Sequence, residues 1–185
     1  GVHVVALTMG EFEETTETVG LTGRTFDAYS ISAGASYAQY LFPKLSIGGS
    51  AKFVYERIFT SSASSIAFDV GTLFETPFDG MRFGVSVTNV GSKMQITGDE
   101  LITNIDVSDN NENNPDVDGT LVTEEFDLPI LLRVGFAYDP IKTRNLRATI
   151  AVDGTSPNNN FESISVGGEI ALLNEQIFVR GGIPY

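Results

Sequence analysis

Residues 45–56 read Leu-Ser-Ile-Gly-Gly-Ser-Ala-Lys-Phe-Val-Tyr-Glu. Leu45, Ile47, Gly49, Ala51, Phe53 and Tyr55 form one alternate set, and Ser46, Gly48, Ser50, Lys52, Val54 and Glu56 form the other. A period of two puts these sets on opposite faces of a β-strand. One face is apolar and the other carries charge, a pattern that a helix with its period near 3.6 does not produce.

The same alternation extends in both directions. Upstream, Tyr29, Ile31, Ala33, Ala35, Tyr37 and Leu41 alternate with Ser30, Ser32, Gly34, Ser36 and Ala38. Downstream, Ile66, Phe68, Val70 and Phe74 oppose Ala67, Asp69 and Gly71, and Met81, Phe83, Val85 and Val87 oppose Arg82, Gly84, Ser86 and Thr88. Further runs oppose Leu128, Ile130, Leu132, Val134, Phe136 and Tyr138 to Arg133 and Gly135, and Leu146, Ala148, Ile150 and Val152 to Arg147, Thr149 and Asp153. The last two set Ile164, Val166 and Ile170 against Ser163, Ser165 and Glu169, and Ile177 and Val179 against Arg180. With Val2 to Phe12 this predicts roughly nine strands of about ten residues, an all-β chain.

The spacing between runs predicts short turns at Phe42 to Lys44, Thr76 to Asp79, Asp139 to Arg144 and Asn174 to Glu175. Longer loops are expected at Thr15 to Asp27, Arg57 to Ser64, Val90 to Asp127 and Gly154 to Asn160. Short turns at one end and long loops at the other describe an antiparallel transmembrane β-barrel of the outer-membrane type, turns in the periplasm and loops outside. Tyr40, Phe42, Phe74, Phe78 and Tyr138 beside the turns and Tyr29, Tyr55 and Phe59 near the loops fit two interfacial girdles; filling of a sandwich core is the alternative for these rings. Ile47, Val70, Val85 and Leu132 are expected to face lipid. An odd strand count leaves the first and last strands running the same way, so the chain is expected to be an incomplete piece of a larger barrel.

Composition narrows the function. The chain has 185 residues, no Cys and a formal net charge of -13, and its pI is near 4.3. Nucleic acid is excluded as a partner, since phosphate binding needs clustered Lys and Arg. Thiol chemistry, disulfides and cysteine-ligated metals are excluded too. Residues 1–10 lack a basic region and cleavage site, so no signal peptide is expected in this stretch, and no apolar run suits a transmembrane helix.

Several segments, in order, resemble a known family: SISAGASYAQYL (30–41), LSIGGSAKFVYERI (45–58), AFDVGTLFETPFDGMRFGVSVTNVGSKMQITGDEL (67–101), LPILLRVGFAYDP (128–140), RATIAVDGTSPNNN (147–160) and IFVRGGIPY (177–185). Together they resemble the PorV/PorQ family of outer-membrane proteins, related to the FadL-type fatty-acid transporters. The resemblance implies a FadL-like barrel of about fourteen strands, with further residues at both ends. It also implies work in type IX secretion, where PorV-like proteins bind the carboxy-terminal domain of secreted cargo and pass it to the surface-attachment machinery.

The residues themselves offer little catalytic chemistry, and the chain reads as a non-enzyme without a cofactor. His3 is the only histidine; a Ser-His dyad built on it would still need a nucleophile and an orienting carboxylate. The stretch from Asp106 to Gly119 is rich in carboxylates and amides, so Asp106, Asp109, Asp116 and Asp118 are candidate Ca²⁺ ligands. The spacing is not that of an EF-hand, and a solvated acidic loop is the competing reading. Lys52, Glu56, Asp69, Arg82, Arg133, Arg147, Asp153, Glu169 and Arg180 fall on the polar sets and are expected to face a barrel lumen, as interior filling or as the lining of a passage. Counting from the Asn174 to Glu175 turn puts Glu169 opposite Arg180. The loop from Val90 to Asp127 is expected to be extracellular and partner-facing, with Met94, Ile96 and Leu101 packed on the rim.

Three functions fit these features: a PorV-like cargo shuttle, a FadL-like transporter of hydrophobic molecules, and a structural barrel in a cell-surface assembly. The expected location is the bacterial outer membrane. Partners would be its lipid and lipopolysaccharide and the proteins of the secretion or surface machinery.

Overall fold

A computed structural model describes residues 1–16, 20–105 and 117–185. Nine strands form one antiparallel sheet in chain order: β1 (Val2–Thr16), β2 (Gly20–Phe42), β3 (Leu45–Ile58), β4 (Ser61–Glu75), β5 (Met81–Gly91), β8 (Leu131–Lys142), β9 (Leu146–Pro157), β10 (Ser163–Leu172) and β11 (Ile177–Pro184). Between β5 and β8 the described residues make a 3₁₀ turn at Asp99–Leu101 and a short antiparallel pair, β6 (Ile102–Ile105) with β7 (Val117–Thr120). Each strand pairs with its sequence neighbour, except that β5 pairs with β8 across that excursion. β1 and β11 are the two edges, and eight antiparallel steps leave them running in the same direction.

The short turns lie where alternation breaks. Pro43 and Lys44 alone separate β2 from β3. Before β5 the chain reverses through Gly80, whose φ of +78° suits glycine. There an added Cβ would lie 2.8 Å from the Asp139 carbonyl oxygen. Three of the four expected long loops are replaced by strand. β3 reaches Ile58 and β4 starts at Ser61, so Phe59 and Thr60 alone make the turn. β1 and β2 continue to Thr16 and from Gly20, and β9 runs to Pro157. Sparse apolar side chains in these stretches hide the strands, because backbone pairing continues where neither face is buried in a core. Residues 9–16 and 20–27 therefore form a tall ribbon above the β3–β4 turn, bent by a β1 bulge between Thr8 and Glu11 and by a β2 bulge between Leu21 and Thr25.

Burial runs opposite to that of a water-soluble sheet. The apolar set stays exposed: Val70 is 58% exposed, Phe68 55% and Ile150 54%. On the other face Asp139 is 6% exposed and Thr149 8%. Few large apolar side chains are fully enclosed, Met94 among them.

Candidate functional site

The register gathers the charges onto one face. Ser50 stands opposite Asp69, Glu75 opposite Arg82, Ser86 opposite Arg133, Gly135 opposite Asp153, and Thr149 opposite Glu169. Glu169 then faces Arg180, as turn counting predicts. The reverse face carries Ile47, Val70, Val85 and Leu132. A hollow of about 460 Å³ on the charged face is lined by residues from Ala38 on β2 to Asp153 on β9. One hollow reached from six successive strands means that the sheet curls toward its polar side.

At the turn end a polar seam crosses five strands. Arg82 donates from Nη1 to Asp139 Oδ2 at 2.8 Å, and Thr149 Oγ1 donates to Asp139 Oδ1 at 2.7 Å. Arg147 donates to Thr149 Oγ1 at 2.7 Å, to Glu169 Oε1 at 2.9 Å and to Glu175 Oε1 at 2.9 Å. Arg180 closes the seam on Glu169 and lies over the Phe178 ring at 5.2 Å. A β8 bulge between Tyr138 and Ile141 sets Asp139 and Pro140 against Thr149. Proline costs no ladder bond at such a place.

A second cluster follows the same rule. Asp69 accepts from Lys52 Nζ at 2.7 Å, from Ser50 Oγ at 2.9 Å and from the Asn89 backbone N–H at 2.8 Å. Asn89, at φ +65°, lies in the β5 bulge opposite Asp69. The bulge frees an N–H from the ladder, and the carboxylate takes it up. Asn89 Nδ2 meanwhile donates to the Pro129 carbonyl at 2.7 Å, tying β5 to the approach of β8.

The start of the long excursion turns inward over β3 and β4. Met94, fully buried, packs with Val54, Ala63 and Ala67 from the polar face of β3 and β4 and with Leu128 from the approach to β8. Met94 and Phe126 exchange backbone bonds at 2.8 and 2.9 Å, and Thr97 pairs with Ser62. Gly91 and Gly98 permit this approach, since a Cβ would fall 2.0 Å from the Ile66 carbonyl oxygen or 2.6 Å from Ser61 Cα. Met94 is thus an interior anchor rather than a rim contact, while Ile96 is 37% exposed. Between this ribbon and the sheet lies an apolar pocket of about 290 Å³ lined by Leu7, Met9, Ala28, Ile58, Ile96 and Phe126 among others.

The remaining predicted residues are less engaged. Arg133 makes no ion pair among the described residues and opens onto the large hollow with Asp153. Glu56 accepts only a 3.5 Å bond from Ser30 among them. His3 lies over Gly34, where its ring leaves no room for a Cβ. Asp118 sits on β7 opposite Asn104, and Asp106, Asp109 and Asp116 fall outside the described residues. No group of three metal-binding side chains occurs among the described residues. One girdle assignment is corrected: Tyr40 shares the polar face, opposite Ser46. Phe59 packs on Phe26, which stacks on Phe12.

Sequence alternation found the charged face, Thr149 included, but missed Asp139, Asn89 and Glu175. Pro140 after Asp139 was the one signal for the first bulge. The chain matches no family model, no curated protein and no solved structure.

Proposed function

We propose that the chain forms part of the wall of an outer-membrane β-barrel that binds and transfers protein partners by recognition, with no bond made or broken. The observation that carries this is the inverted polarity: apolar side chains on the exposed convex face, ion pairs in the concave interior. In water that arrangement leaves a large apolar surface unburied; in a bilayer it is the expected one. The dimensions agree. Leu45 to Tyr55 on β3 is ten residue steps, about 34 Å of strand at about 3.4 Å each, or about 26 Å of height at a tilt near 40°.

Closing such a barrel through antiparallel pairs alone takes strands additional to these nine, because β1 and β11 run in the same direction. The shuttle role rests on the likeness to PorV/PorQ segments and on the inward ribbon, which offers a protein-binding surface at the loop end. Co-purification from native outer membrane tests it. A translocon subunit or a secreted carboxy-terminal domain should accompany the protein; recovery in the soluble fraction would refute the membrane reading, and recovery with lipid alone would refute the shuttle.

A second reading is favoured by the apolar pocket under Ile96 and Phe126: passage of hydrophobic molecules, as in FadL-type transporters. Uptake of a labelled hydrophobic molecule that depends on this protein, in cells with normal secretion, would select it.

A further inference from the structure

The outward rows of the sheet, from the short turns up to the β3–β4 turn, are apolar or uncharged with one exception. Among the described residues, Arg57 is the single charged side chain on that face. It stands in the top row, with Tyr29 directly opposite on β2 and Ser62 directly opposite on β4. The row below holds Ile31, Tyr55 and Ser64. The Tyr29 and Tyr55 rings lie 6.1 Å apart at 40°. Arg57 Nε donates to the Phe59 carbonyl at 3.0 Å, and the guanidinium also hydrogen-bonds the Tyr29 side chain, so the cation is held beside the tyrosine. Asp27 and Glu11 share the row above, yet Arg57 makes no ion pair among the described residues.

We propose that Arg57, Tyr29 and Ser62 form a binding site for the phosphate of an outer-leaflet lipid headgroup. The inference rests on the membrane-spanning reading. An outward arginine is costly near the bilayer midplane and nearly free at the interface, so the top row is where such a side chain can stand. Its planar fork matches a phosphate with two parallel N–H bonds. The tyrosine and serine hydroxyls on either side supply further donors. Aromatic girdles also mark the interfaces of outer-membrane barrels.

The test uses the full-length protein in phosphatidylcholine nanodiscs containing lipid A with its phosphates, or the same lipid dephosphorylated. Bound lipid is counted by native mass spectrometry. The wild type should retain the phosphorylated form. Arg57→Gln should lower that retention about tenfold, the loss expected for a charged bidentate contact. Arg57→Lys should fall between, because lysine offers a point charge. Tyr29→Phe should weaken binding without changing heat-modifiability. Equal retention of both lipids, or full retention by Arg57→Gln, would overturn the site. Competition by inorganic phosphate at lipid-independent strength would overturn the lipid as its ligand. Failure of the protein to enter the discs at all is a separate readout, and it would overturn the membrane reading and the site with it.

Discussion

The seam around Asp139 makes the strongest quantitative prediction, and the perturbation is Arg82→Met. The Asp139 side chain is 1% exposed, whereas Arg82 is 34% exposed. Removing the arginine strands a buried carboxylate, a change that costs about 3 to 5 kcal/mol. Thr149 still donates at 2.7 Å and Arg147 Nη1 remains 3.9 Å away, so the lower bound applies: about 3 kcal/mol, on the order of a hundredfold in the folding equilibrium. The double variant Arg82→Met, Asp139→Leu removes both charges. Its main loss is the acceptor for the Thr149 hydroxyl, about 1 kcal/mol. The second substitution should therefore recover about 2 kcal/mol, a coupling measurable in a double-mutant cycle. The chain has no Trp, so urea titration of refolding into lipid vesicles is followed by gel mobility of the folded form. A loss below about 1 kcal/mol for Arg82→Met would refute the reasoning. So would a double variant as unstable as the single one.

Val85→Arg should cost roughly 2 to 4 kcal/mol in the same vesicle assay if Val85 lies near the midplane. A spin label there should be reached by lipid-soluble quenchers, and access by water-soluble ones would refute the outward assignment. Met94→Ala removes a side chain that is fully buried and should cost about 2 to 5 kcal/mol of local stability, seen as protease cleavage within residues 92–98 while the barrel stays heat-modifiable. On the proposed shuttle reading, deleting residues 106–118 should leave a folded protein with reduced surface delivery of secreted proteins; normal delivery would remove that loop from the role. If the loop holds Ca²⁺, chelation should raise its cleavage without unfolding the sheet, and unchanged cleavage would argue for a solvated cover.

Alternation reveals faces well and ends poorly. Lys52 and Phe53 differ in direction because adjacent residues of a strand must, so a charge beside an aromatic ring suffices to orient β3. Ends are different. Phe59 and Thr60 turn the chain in two residues, yet the polar run from Ser61 to Ser65 resembles a loop in composition. Small hydroxyl side chains there are compatible with a strand whose concave side is covered by Ser92, Met94 and Thr97. That covering comes from 27 or more residues away and leaves no local trace.

The polar clusters were hidden for a related reason. Both inward carboxylates with three hydrogen-bond or ion-pair partners sit at bulges: Asp139 within one, Asp69 opposite another. A bulge adds a residue to one strand, so counting by twos fails there. It also frees backbone donors and re-aims side chains, which creates the very need for a buried acceptor. Asp69 meets that need by accepting from the Asn89 N–H, and the Gly80 carbonyl meets it on the other side by accepting from the Asp139 N–H at 2.9 Å. The interior of this sheet is thus held by polar groups placed where the ladder is irregular, while the regular stretches between them present small residues such as Gly71, Gly84 and Gly135 to the hollow. The bulge-anchored ion pairs thus brace the sheet, and the small-residue stretches between them leave its polar face open at the hollow.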